Sequence, residues 1–486
     1  MHKRPAWLWG IVLSAALLSA LAFVLWRQGA RRQPERSAVL PRAQSQCNLF
    51  ARWLEDERVL AVTQDWSLLN TSEDTWPDVR LQFPANAYRT EELSPAASDD
   101  AFERSFPAGF SPGGMTLMYA SVNGALQLPA YADESGQLAV FDVSVSPGES
   151  VSLSCRYLLS FPQGLHRFGE DGMALRLCRA LAAPAVWQDG AWHTGEQPGV
   201  GDGWYAPLLD YSYSVEVPAG FFVSAPGCSG SKGRFSGFLP SADSLNLIIW
   251  KGSPVVRTDH CGGGKLTVAG LDRSLVSGVF SRFKKALEAL SALYGACPME
   301  EVCVCALPSF EDGSAYPGLI VLSDAPVSSD AALSADQLYW AARQWFASPF
   351  RTDGSLEGWL PAALSEWAAQ QAMLKADGRQ AFAYRKEAFV DEAMRENLHL
   401  TLTPGSPLSW FPDSAALDAL QRGRGCAWLY AVDTMTEGRL NGFLKGLAEA
   451  KAGGPLSGRD FLDALKRYFS MDFEPLYEDY IHTYIF

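Results

Sequence analysis

The sequence predicts a multidomain α+β protein whose body follows a single N-terminal transmembrane helix. Three observations lead to this fold class. Residues 5–26 are apolar and uncharged, short segments with alternating apolar residues run from 47 to 272, and helical periodicity dominates from 273 to 486. A period of two is typical of strands, and apolar residues recurring at three and four are typical of helices. We therefore expect an anchor with its linker (1–46), an antiparallel β-sandwich-like domain (47–272) and a mainly α-helical domain (273–486).

Composition places the chain among ordinary globular proteins. Of its 486 residues, 48% are hydrophobic and 19% are charged, which excludes global disorder. The 40 Lys+Arg and 54 Asp+Glu residues give a formal net charge of −14. Because no broad basic surface is available to displace counterions from phosphates, we predict no nucleic-acid partner. The 16 Trp residues are expected mainly in cores rather than on a sugar-binding surface.

The segment 5–26 is long enough to span a membrane. At a rise of about 1.5 Å per residue it crosses a hydrocarbon core of about 30 Å. Trp7, Trp9 and Trp26 lie at its ends, where indole rings favour the headgroup zone. A cleaved signal peptide is the alternative, but its apolar region is normally only about 7–15 residues long. We predict an uncleaved, single-pass membrane protein.

The side of the membrane on which the body lies is indicated by two conflicting signals. Four arginines follow the span, and the positive-inside rule would keep the body in the cytoplasm. The body also contains nine cysteines, which permit several disulfides and favour an oxidising compartment. We expect an extracytoplasmic body. No cysteine or histidine spacing typical of a zinc site is present.

Strand-like segments are frequent before residue 272, and common catalytic motifs are absent. VRLQF, VSLSCRYLLSF, YSYSVEV and LNLIIW alternate or are wholly apolar, as strands of a β domain do. Gly262-Gly263-Gly264-Lys265 lies between two such segments and is predicted to be a turn rather than a phosphate-binding loop. There is no G-x-S-x-G elbow, and no two histidines share a helical spacing.

Two segments of the C-terminal half resemble the core of a known enzyme family. YWAARQWFAS begins at Tyr339 and WLPAALSEW begins at Trp359. They resemble H-E-x-x-H-Q-W-F-G and W-L-N-E-G-F-A of the membrane alanyl aminopeptidases, which are zinc gluzincins. Gln344-Trp345-Phe346 and Trp359-Leu360 match this pattern letter for letter. The interval from Arg343 to Ala362 equals the family's interval between its second His and its ligand Glu.

The resemblance extends over nearly all of the body. DWSLLNTSEDTWPDVRLQF and YSYSVEVPAGFFVSAPG look like the family's β-saddle domain, and residues 312–318 are similar to its G-G-M-E-Y-P-G motif. Arg422-Gly423-Arg424-Gly425 lies where Y-x-K-G is expected. The resemblance implies a β-saddle domain followed by a thermolysin-like, gluzincin domain. The family's helical C-terminal domain is expected to be absent.

The residues at the implied zinc-ligand positions do not suit a metal. The resemblance places Tyr339, Arg343 and Ala362 where the family has His, His and Glu. A tyrosine must lose a proton with a pKa near 10 to bind zinc, arginine has no lone pair to offer, and alanine has no donor. We therefore expect no metal and no cofactor.

The three implied catalytic positions are changed as well. The resemblance places Trp340 at the general base, Ala315 at the carboxylate that holds the substrate's amino terminus, and Arg422 at the tyrosine that stabilises the oxyanion. Trp340 and Ala315 lack the chemistry for these roles, and Arg422 has no nucleophile to assist. We interpret all six positions as a vestigial site without catalytic residues, in which large side chains fill the old metal cavity.

Two further predictions concern groups around this site. A buried Arg343 needs a carboxylate, and Glu366, one helical turn beyond Ala362, is predicted to supply it, with Glu357 as the second choice. The resemblance places Tyr316 and Gly318 in an edge strand that runs along the substrate, and such an edge accepts extended peptides. The alternative is a cleft that is simply filled.

The leading functional hypothesis is a membrane-anchored, catalytically inactive aminopeptidase-like protein, a pseudoenzyme that acts as a peptide- or protein-binding scaffold. One alternative is an active zinc metallo-aminopeptidase with an atypical metal site. Another is a hydrolase with different chemistry that reuses the cleft, for which Glu311, Asp312 and Asp324 are the acidic candidates.

Overall fold

The computed structural model describes residues 40, 42–95, 99–195, 199–309, 313–324, 330–396, 401–451 and 455–483. All of them belong to one compact unit, Ala38–Phe486. The predicted anchor, residues 5–26, and most of its linker lie outside the described residues, so the transmembrane helix stays a prediction. Within the described ranges, no helix has both the length and the apolar character needed to cross a bilayer.

The first half of the body consists mainly of strands, as predicted. Its largest sheet has eight strands in the order β16-β17-β14-β1-β2-β8-β4-β5. Two four-stranded sheets (β15-β18-β10-β9 and β11-β3-β7-β6) and the hairpin β12-β13 complete this half. The strands are β1 Gln46–Leu54, β2 Val59–Leu69, β3 Val79–Gln82, β4 Gly114–Val122, β5 Ala125–Leu126, β6 Ala130–Tyr131, β7 Leu138–Phe141, β8 Ser150–Ser160, β9 Phe168–Glu170, β10 Ala174–Leu177, β11 Ala183–Pro184, β12 Val186–Gln188, β13 Ala191–His193, β14 Leu209–Glu216, β15 Phe222–Ser224, β16 Ser229–Ser231, β17 Arg234–Ala242 and β18 Leu247–Trp250.

The large sheet is not wholly antiparallel, which corrects one expectation. β1 pairs antiparallel with β2 but parallel with β14. Residues in β1 alternate between exposed and buried positions, as expected for a strand with one face on the core. Alternation reports only which face is buried and says nothing of strand direction. A parallel neighbour contributed by a distant segment was therefore invisible to the pattern.

The second half combines one sheet with helices. Five strands lie in the order β19-β20-β21-β23-β22. They are β19 Val255–Cys261, β20 Gly264–Gly270, β21 Glu301–Leu307, β22 Gly313–Tyr316 and β23 Leu319–Ser323. The helices are α1 Asp99–Ser105 in the first half, then α2 Arg273–Tyr294, α3 Asp330–Phe346, α4 Gly354–Glu357, α5 Trp359–Ala376, α6 Arg379–Lys386, α7 Glu392–Glu396, α8 Ser414–Leu417, α9 Gly425–Met435, α10 Leu440–Lys451, α11 Gly458–Phe469 and α12 Glu474–Tyr477. Short 3₁₀ turns cover Pro84–Tyr88 and Leu408–Trp410, and π-helical turns cover Glu387–Asp391, Asp418–Arg424 and Glu478–His482.

The change from strands to helices occurs at residue 273, where it was expected. α2 begins there because Asp272 caps it, its side chain accepting a hydrogen bond from the Leu275 amide at 2.7 Å. The sheets change earlier, however, because β19 and β20 pair with β21 of the second half. The predicted division at 272 therefore follows the change of element type, and the domain boundary itself stays a prediction.

The glycine-rich segment at 262–265 forms a turn, as predicted. Cys261 pairs with Gly264, so Gly262 and Gly263 are the two residues that join β19 to β20. Their φ angles are +60° and +82°, which side chains with a Cβ adopt at a cost. Two consecutive residues with positive φ are what a tight hairpin of this length requires.

The nine cysteines form no disulfide and are all free thiols. Eight of them are buried, with Cys228 intermediate. Burial raises the pKa of the Cys47 and Cys178 thiols to about 12, which keeps them protonated and unreactive. These cysteines therefore act as small apolar core residues, including Cys303 and Cys305 in the buried strand β21.

Aromatic side chains build much of the helical core, as the Trp content suggested. α5 is buried on nearly all sides and lies between α3, α2 and α9. Trp428 on α9 contacts Trp359 at a ring-centroid distance of 5.7 Å, Phe461 at 5.8 Å and Tyr477 at 5.7 Å, all edge to face. This geometry is the favoured one for aromatic pairs.

Replacing Trp428 by Ala is expected to lower the free energy of unfolding by about 3–5 kcal/mol, because the cavity left behind has no side chain to fill it. Chemical denaturation followed by circular dichroism measures this change. The matched control is Trp410→Ala, since that side chain is 61% exposed and should change stability by no more than about 0.5 kcal/mol. Equal effects of the two substitutions would contradict this view of the core.

Candidate functional site

A cavity of about 460 Å³ lies between the edge of the five-stranded sheet and the helices. Its walls come from β22, α3, the start of α5, the π-helical turn Asp418–Arg424 and loop residues 199–204 of the first half. All six predicted vestigial positions line it, and they are Ala315, Tyr339, Trp340, Arg343, Ala362 and Arg422. The structure therefore brings together residues up to 107 positions apart in the sequence, from 315 to 422. A cavity of this volume favours the open cleft over the filled one, the two alternatives that the sequence left undecided.

Helix α3 presents three of these side chains to the cavity. Its other face, with Leu338, Ala342 and Trp345, is buried in the core, so that Tyr339 and Arg343 lie one turn apart on the cavity side. Arg343 Nη1 donates to the Tyr339 hydroxyl at 3.2 Å. The two positions thus keep the relative placement that a pair of metal ligands needs, but a guanidinium and a phenol occupy them.

Trp340 lies against the edge strand. A Cβ on Gly313 would be only 2.3 Å from Trp340 Nε1, so the indole approaches the β22 backbone where only glycine leaves room. The indole therefore covers the start of β22 and takes up part of the cleft.

Gln344 shows why part of the family pattern is retained. Its Oε1 accepts from the Gly318 amide at 3.0 Å, and its Nε2 donates to the Tyr316 carbonyl at 3.1 Å. The side chain is fully buried and fastens the β22–β23 turn to α3. Such a contact positions the edge strand whether or not a metal is bound, because it involves only backbone groups and the Gln344 amide.

Strand β22 forms one end of the sheet and contains the predicted peptide edge in part. Ala315 and Tyr316 lie in it, and both line the cavity. Gly318 does not lie in the strand, since it forms the turn to β23 with a φ of +68°. Tyr316 is buried as a whole residue and its carbonyl is held by Gln344, so this part of the strand is fixed against α3.

Glu366 does not pair with Arg343, which corrects the predicted ion pair. It is fully buried and accepts from Arg385 Nε at 2.9 Å and Nη2 at 2.7 Å, and from Arg422 Nη2 at 3.1 Å. Gln370 Nε2 donates to it at 2.8 Å. These bonds use the acceptor positions of the carboxylate, so none is left for a third arginine.

Glu357 is not the partner of Arg343 either. Its Oε2 accepts from Trp359 Nε1 and from the Gly458 amide, both at 3.1 Å. Burial raises the pKa of this carboxyl above its ordinary value. Glu357 therefore ties α11 to the start of α5 and contacts no charged group of the cavity.

Arg422 lies at the centre of a charge cluster. Its Nη1 bonds Asp418 at 3.2 Å and its Nη2 contacts Asp336 at 3.4 Å, besides the bond to Glu366. The guanidinium also stacks over the Tyr339 ring at 3.8 Å. Burial opposes its charge, but these carboxylates outweigh that effect and hold the Arg422 pKa well above its ordinary value.

Burial also works against ionisation of Glu366, yet Arg385 and Arg422 bring its pKa below the ordinary value of 4.5. Glu366 and Arg422 therefore both stay charged although they are buried. Asp336 and Asp418 are partly exposed, at 40% and 52%, and add weaker attraction.

Residues of the first half form the opposite wall, and the sequence analysis missed them. Arg179 bonds Asp243 at 2.7 Å and Asp202 at 3.3 Å, and its guanidinium lies 5.6 Å from the Tyr316 ring centroid. Burial raises the pKa of Asp202, but Arg179, Arg167 and Arg343 together lower it further, so it lies below its ordinary value. No spacing or motif pointed to these loop residues, because they meet only through the fold.

The donors around the cavity do not suit a zinc ion. Tyr339, Arg343 and Ala362 offer one phenol and no further lone pair that binds zinc. The guanidinium of Arg422 lies directly over the phenol ring, where a dication would be repelled. No group of three His, Cys, Asp or Glu side chains that could hold a metal occurs within the described ranges. The residues present therefore do not fit the zinc ion that the resemblance implies.

Asp324, one of the three acidic candidates of the third hypothesis, is not brought to the cavity. Asp324 is not among its lining residues. Burial raises the pKa of Asp324 above its ordinary value. Glu311 and Asp312 lie outside the described residues. Nothing in the described part of the chain therefore builds a different catalytic group from these carboxylates.

Comparison with known proteins identifies the fold. No protein-family model matches the sequence, and no curated protein matches it. An M1 zinc metallopeptidase from Deinococcus radiodurans has a similar structure, with a TM-score of 0.60, 16% identity, and coverage of 93% of this chain and 95% of that chain. A variant of that enzyme with a bound Tyr-Ser-Ala substrate is similar with a TM-score of 0.57 and 15% identity, over 93% of this chain and 98% of that chain. A two-domain M1 zinc metallopeptidase variant with bound L-tryptophan is similar with a TM-score of 0.58 and 15% identity, over 93% of this chain and 98% of that chain.

This chain therefore has the fold of the M1 zinc metallopeptidases, which confirms the predicted aminopeptidase-like, thermolysin-like architecture of the body. Identities of 15–16% show the fold alone. Neither activity nor its loss follows from the likeness.

Replacing Glu366 by Gln is expected to lower the free energy of unfolding by about 3–5 kcal/mol near neutral pH, because Arg385 and Arg422 would lose their shared buried carboxylate. Urea denaturation measures this change. Glu387→Gln is the matched control, since its pair with Arg395 is exposed on both sides and should contribute less than about 1 kcal/mol. A Glu366→Gln effect as small as that of the control would show that the pair is not stabilising.

The stability of the wild type and that of Glu366→Gln are expected to depend differently on pH. Because the folded-state pKa of Glu366 lies below 4.5, its contribution is complete above the unfolded value and is lost as pH falls through the folded value. The stability difference between wild type and Glu366→Gln should stay constant from about pH 7 to about pH 5.5 and shrink below about pH 4.5. A difference that persists unchanged into acid would contradict the assignment.

Proposed function

We propose that this chain is a catalytically inactive relative of the M1 zinc metallopeptidases, a pseudoenzyme that binds a peptide or a protein segment in the old substrate cleft. It acts as a scaffold, anchored to the membrane by residues 5–26. The observation that carries this proposal is the combination of a retained cavity of about 460 Å³ with arginine and tyrosine at the positions of the metal ligands.

Retention of the cleft supports binding as the remaining role. A chain that had lost all use for the cavity would be free to fill it, yet Gln344 still fastens the edge strand beside it. The Deinococcus enzyme with this fold holds a Tyr-Ser-Ala substrate. A cavity of this volume is within the range of small-ligand sites, about 300–1,000 Å³.

Loss of metal chemistry is supported by the charge at the site. Arg422 and Arg343 both contact Tyr339, so two permanent cations lie where a zinc ion would need neutral or anionic donors. Neither arginine gives up its proton at physiological pH. Without metal, the general base position Trp340 has no water to activate.

Purified full-length protein is expected to contain far less than one zinc per chain after equilibration with the metal, and to leave alanyl reporter peptides uncleaved. Introducing donors at the three positions, as Tyr339→His/Arg343→His/Ala362→Glu, should raise the zinc content towards one per chain, because two ligands one turn apart plus a carboxylate form a normal zinc site. Elemental analysis after dialysis measures this.

The control variant for this experiment is Tyr339→Phe/Arg343→Met, which removes the cation without adding ligands and should remain free of zinc. One zinc per chain in the wild type, together with cleavage that a chelator abolishes, would favour the active metallo-aminopeptidase with an atypical site and would overturn the proposal.

A further inference from the structure

Arg343 differs from the other cations of the cavity in its pairing. Arg179 is held by Asp202 and Asp243, and Arg422 is held by three carboxylates. Arg343 forms no ion pair with any residue that the structure describes. Its Nη1 bonds the neutral Tyr339 hydroxyl, and its buried Nε has no hydrogen-bond partner in that part of the chain. An unpaired guanidinium in a partly buried cavity is costly unless a ligand supplies an anion.

The carboxylates that face Arg343 are engaged by other groups. Asp202 lies close enough for Arg343 to lower its pKa, but it bonds Arg179 at 3.3 Å and contacts Arg167 at 3.9 Å. Asp336 and Asp418 contact Arg422. Arg343 is therefore a cation of this wall that no described carboxylate pairs directly.

The edge strand fixes the direction from which a ligand approaches. Residues 313–317 line the cavity, and β22 has a strand neighbour on one side only within the described ranges. An extended peptide added to such an edge bonds to backbone groups and is insensitive to most of its side chains. Its charged end then decides its orientation.

No carboxylate on β22 is available to receive an amino terminus. Ala315 stands at the position to which the resemblance assigns that role, and the other lining residues of the strand are uncharged. Arg343, which has no ion-pair partner within the described ranges, lies on the facing helix instead. On the strand side the cavity therefore offers no described carboxylate for an ammonium group, whereas Arg343 on the facing helix offers a cation for a carboxylate.

We propose that the cleft binds extended peptides through a carboxylate, which the Arg343 guanidinium receives while the peptide backbone lies along β22. This rests on the proposed binding function and adds the ligand class to it. The geometry of a guanidinium edge suits a bidentate carboxylate contact. The carboxylate comes either from the peptide's carboxyl terminus or from an acidic side chain.

Isothermal titration calorimetry on the full-length protein tests this with three probes. They are Tyr-Ser-Ala with a free carboxyl terminus, Tyr-Ser-Ala amide, and Tyr-Asp-Ala amide. Amidation of Tyr-Ser-Ala is expected to weaken binding about 10- to 100-fold, because a charge-assisted hydrogen-bonded contact is lost. If Tyr-Asp-Ala amide binds as tightly as the free acid, the carboxylate is a side chain; if it binds as weakly as Tyr-Ser-Ala amide, the carboxylate is the terminus.

Variants test the receiving residue. Arg343→Gln should weaken the best-bound probe by the same 10- to 100-fold and should abolish the distinction between the acid and the amide. Arg343→Lys retains the charge but loses the two parallel donors of the guanidinium. Its affinity for the best-bound probe should lie between those of the wild type and Arg343→Gln. Arg459→Gln is the matched control, because this arginine is 58% exposed and pairs with Glu474 elsewhere on the surface.

Three outcomes overturn the inference. They are equal affinity for acid and amide, an undiminished preference in Arg343→Gln, and no binding of any probe at millimolar concentration. Because the acid–amide comparison uses wild-type protein alone, a variant that fails to fold does not remove the test. Cleavage of a probe with one bound zinc would instead count against the inactive scaffold, so the two proposals fail in different ways.

Discussion

One buried carboxylate organises the site. Glu366 has no exposure to solvent and joins α5 to Arg385 on α6 and to Arg422 in the π-helical turn. Without it, both arginines would lose their one fully buried counterion, and a buried charge without such a partner costs several kcal/mol. The position of Arg422 in turn decides what covers the Tyr339 ring, so the chemistry of the cavity wall depends on a residue behind it.

The wall that results is a stack of cations and aromatic rings. Arg422 lies between Tyr339 at 3.8 Å and the Phe389 ring at 4.8 Å, and Arg385 lies over the same Phe389 ring at 4.5 Å. Guanidinium groups favour such faces more than an ammonium group does. Arg385 and Arg422 of this wall are therefore balanced by carboxylates of the chain itself.

Sequence patterns predicted the elements better than they predicted the contacts between charges. Alternation identified β8 and β14, and helical periodicity identified α2, because each pattern reflects one buried face of a local segment. The resemblance to the aminopeptidase pattern implied that Tyr339, Arg343, Ala362 and Arg422 surround one site, and all four line one cavity.

The partner of Arg343 was predicted wrongly because helical spacing reports neighbours on one helix and not those between helices. Glu366 is one turn from Ala362, as expected, yet Arg385 and Arg422 reach it from other elements. Arg179 and Asp202 were missed for the same reason, since loops that meet only in the folded state leave no periodic signal. The parallel pairing of β1 with β14 was also missed because it joins segments that meet only in the folded state.

That parallel pairing has a consequence for how the chain acquires its structure. β1 is the first strand of the body and lies inside the large sheet, between β2 and β14. Its pairing joins Arg52 to Glu216, 164 positions later. During synthesis, β1 and β2 can pair as soon as both have been made. The backbone groups on the other side of β1 lack their hydrogen-bond partners until β14 has left the ribosome. Contacts of such long sequence separation form slowly, so the nascent chain passes through a stage with an open strand edge that invites chaperones or mispairing.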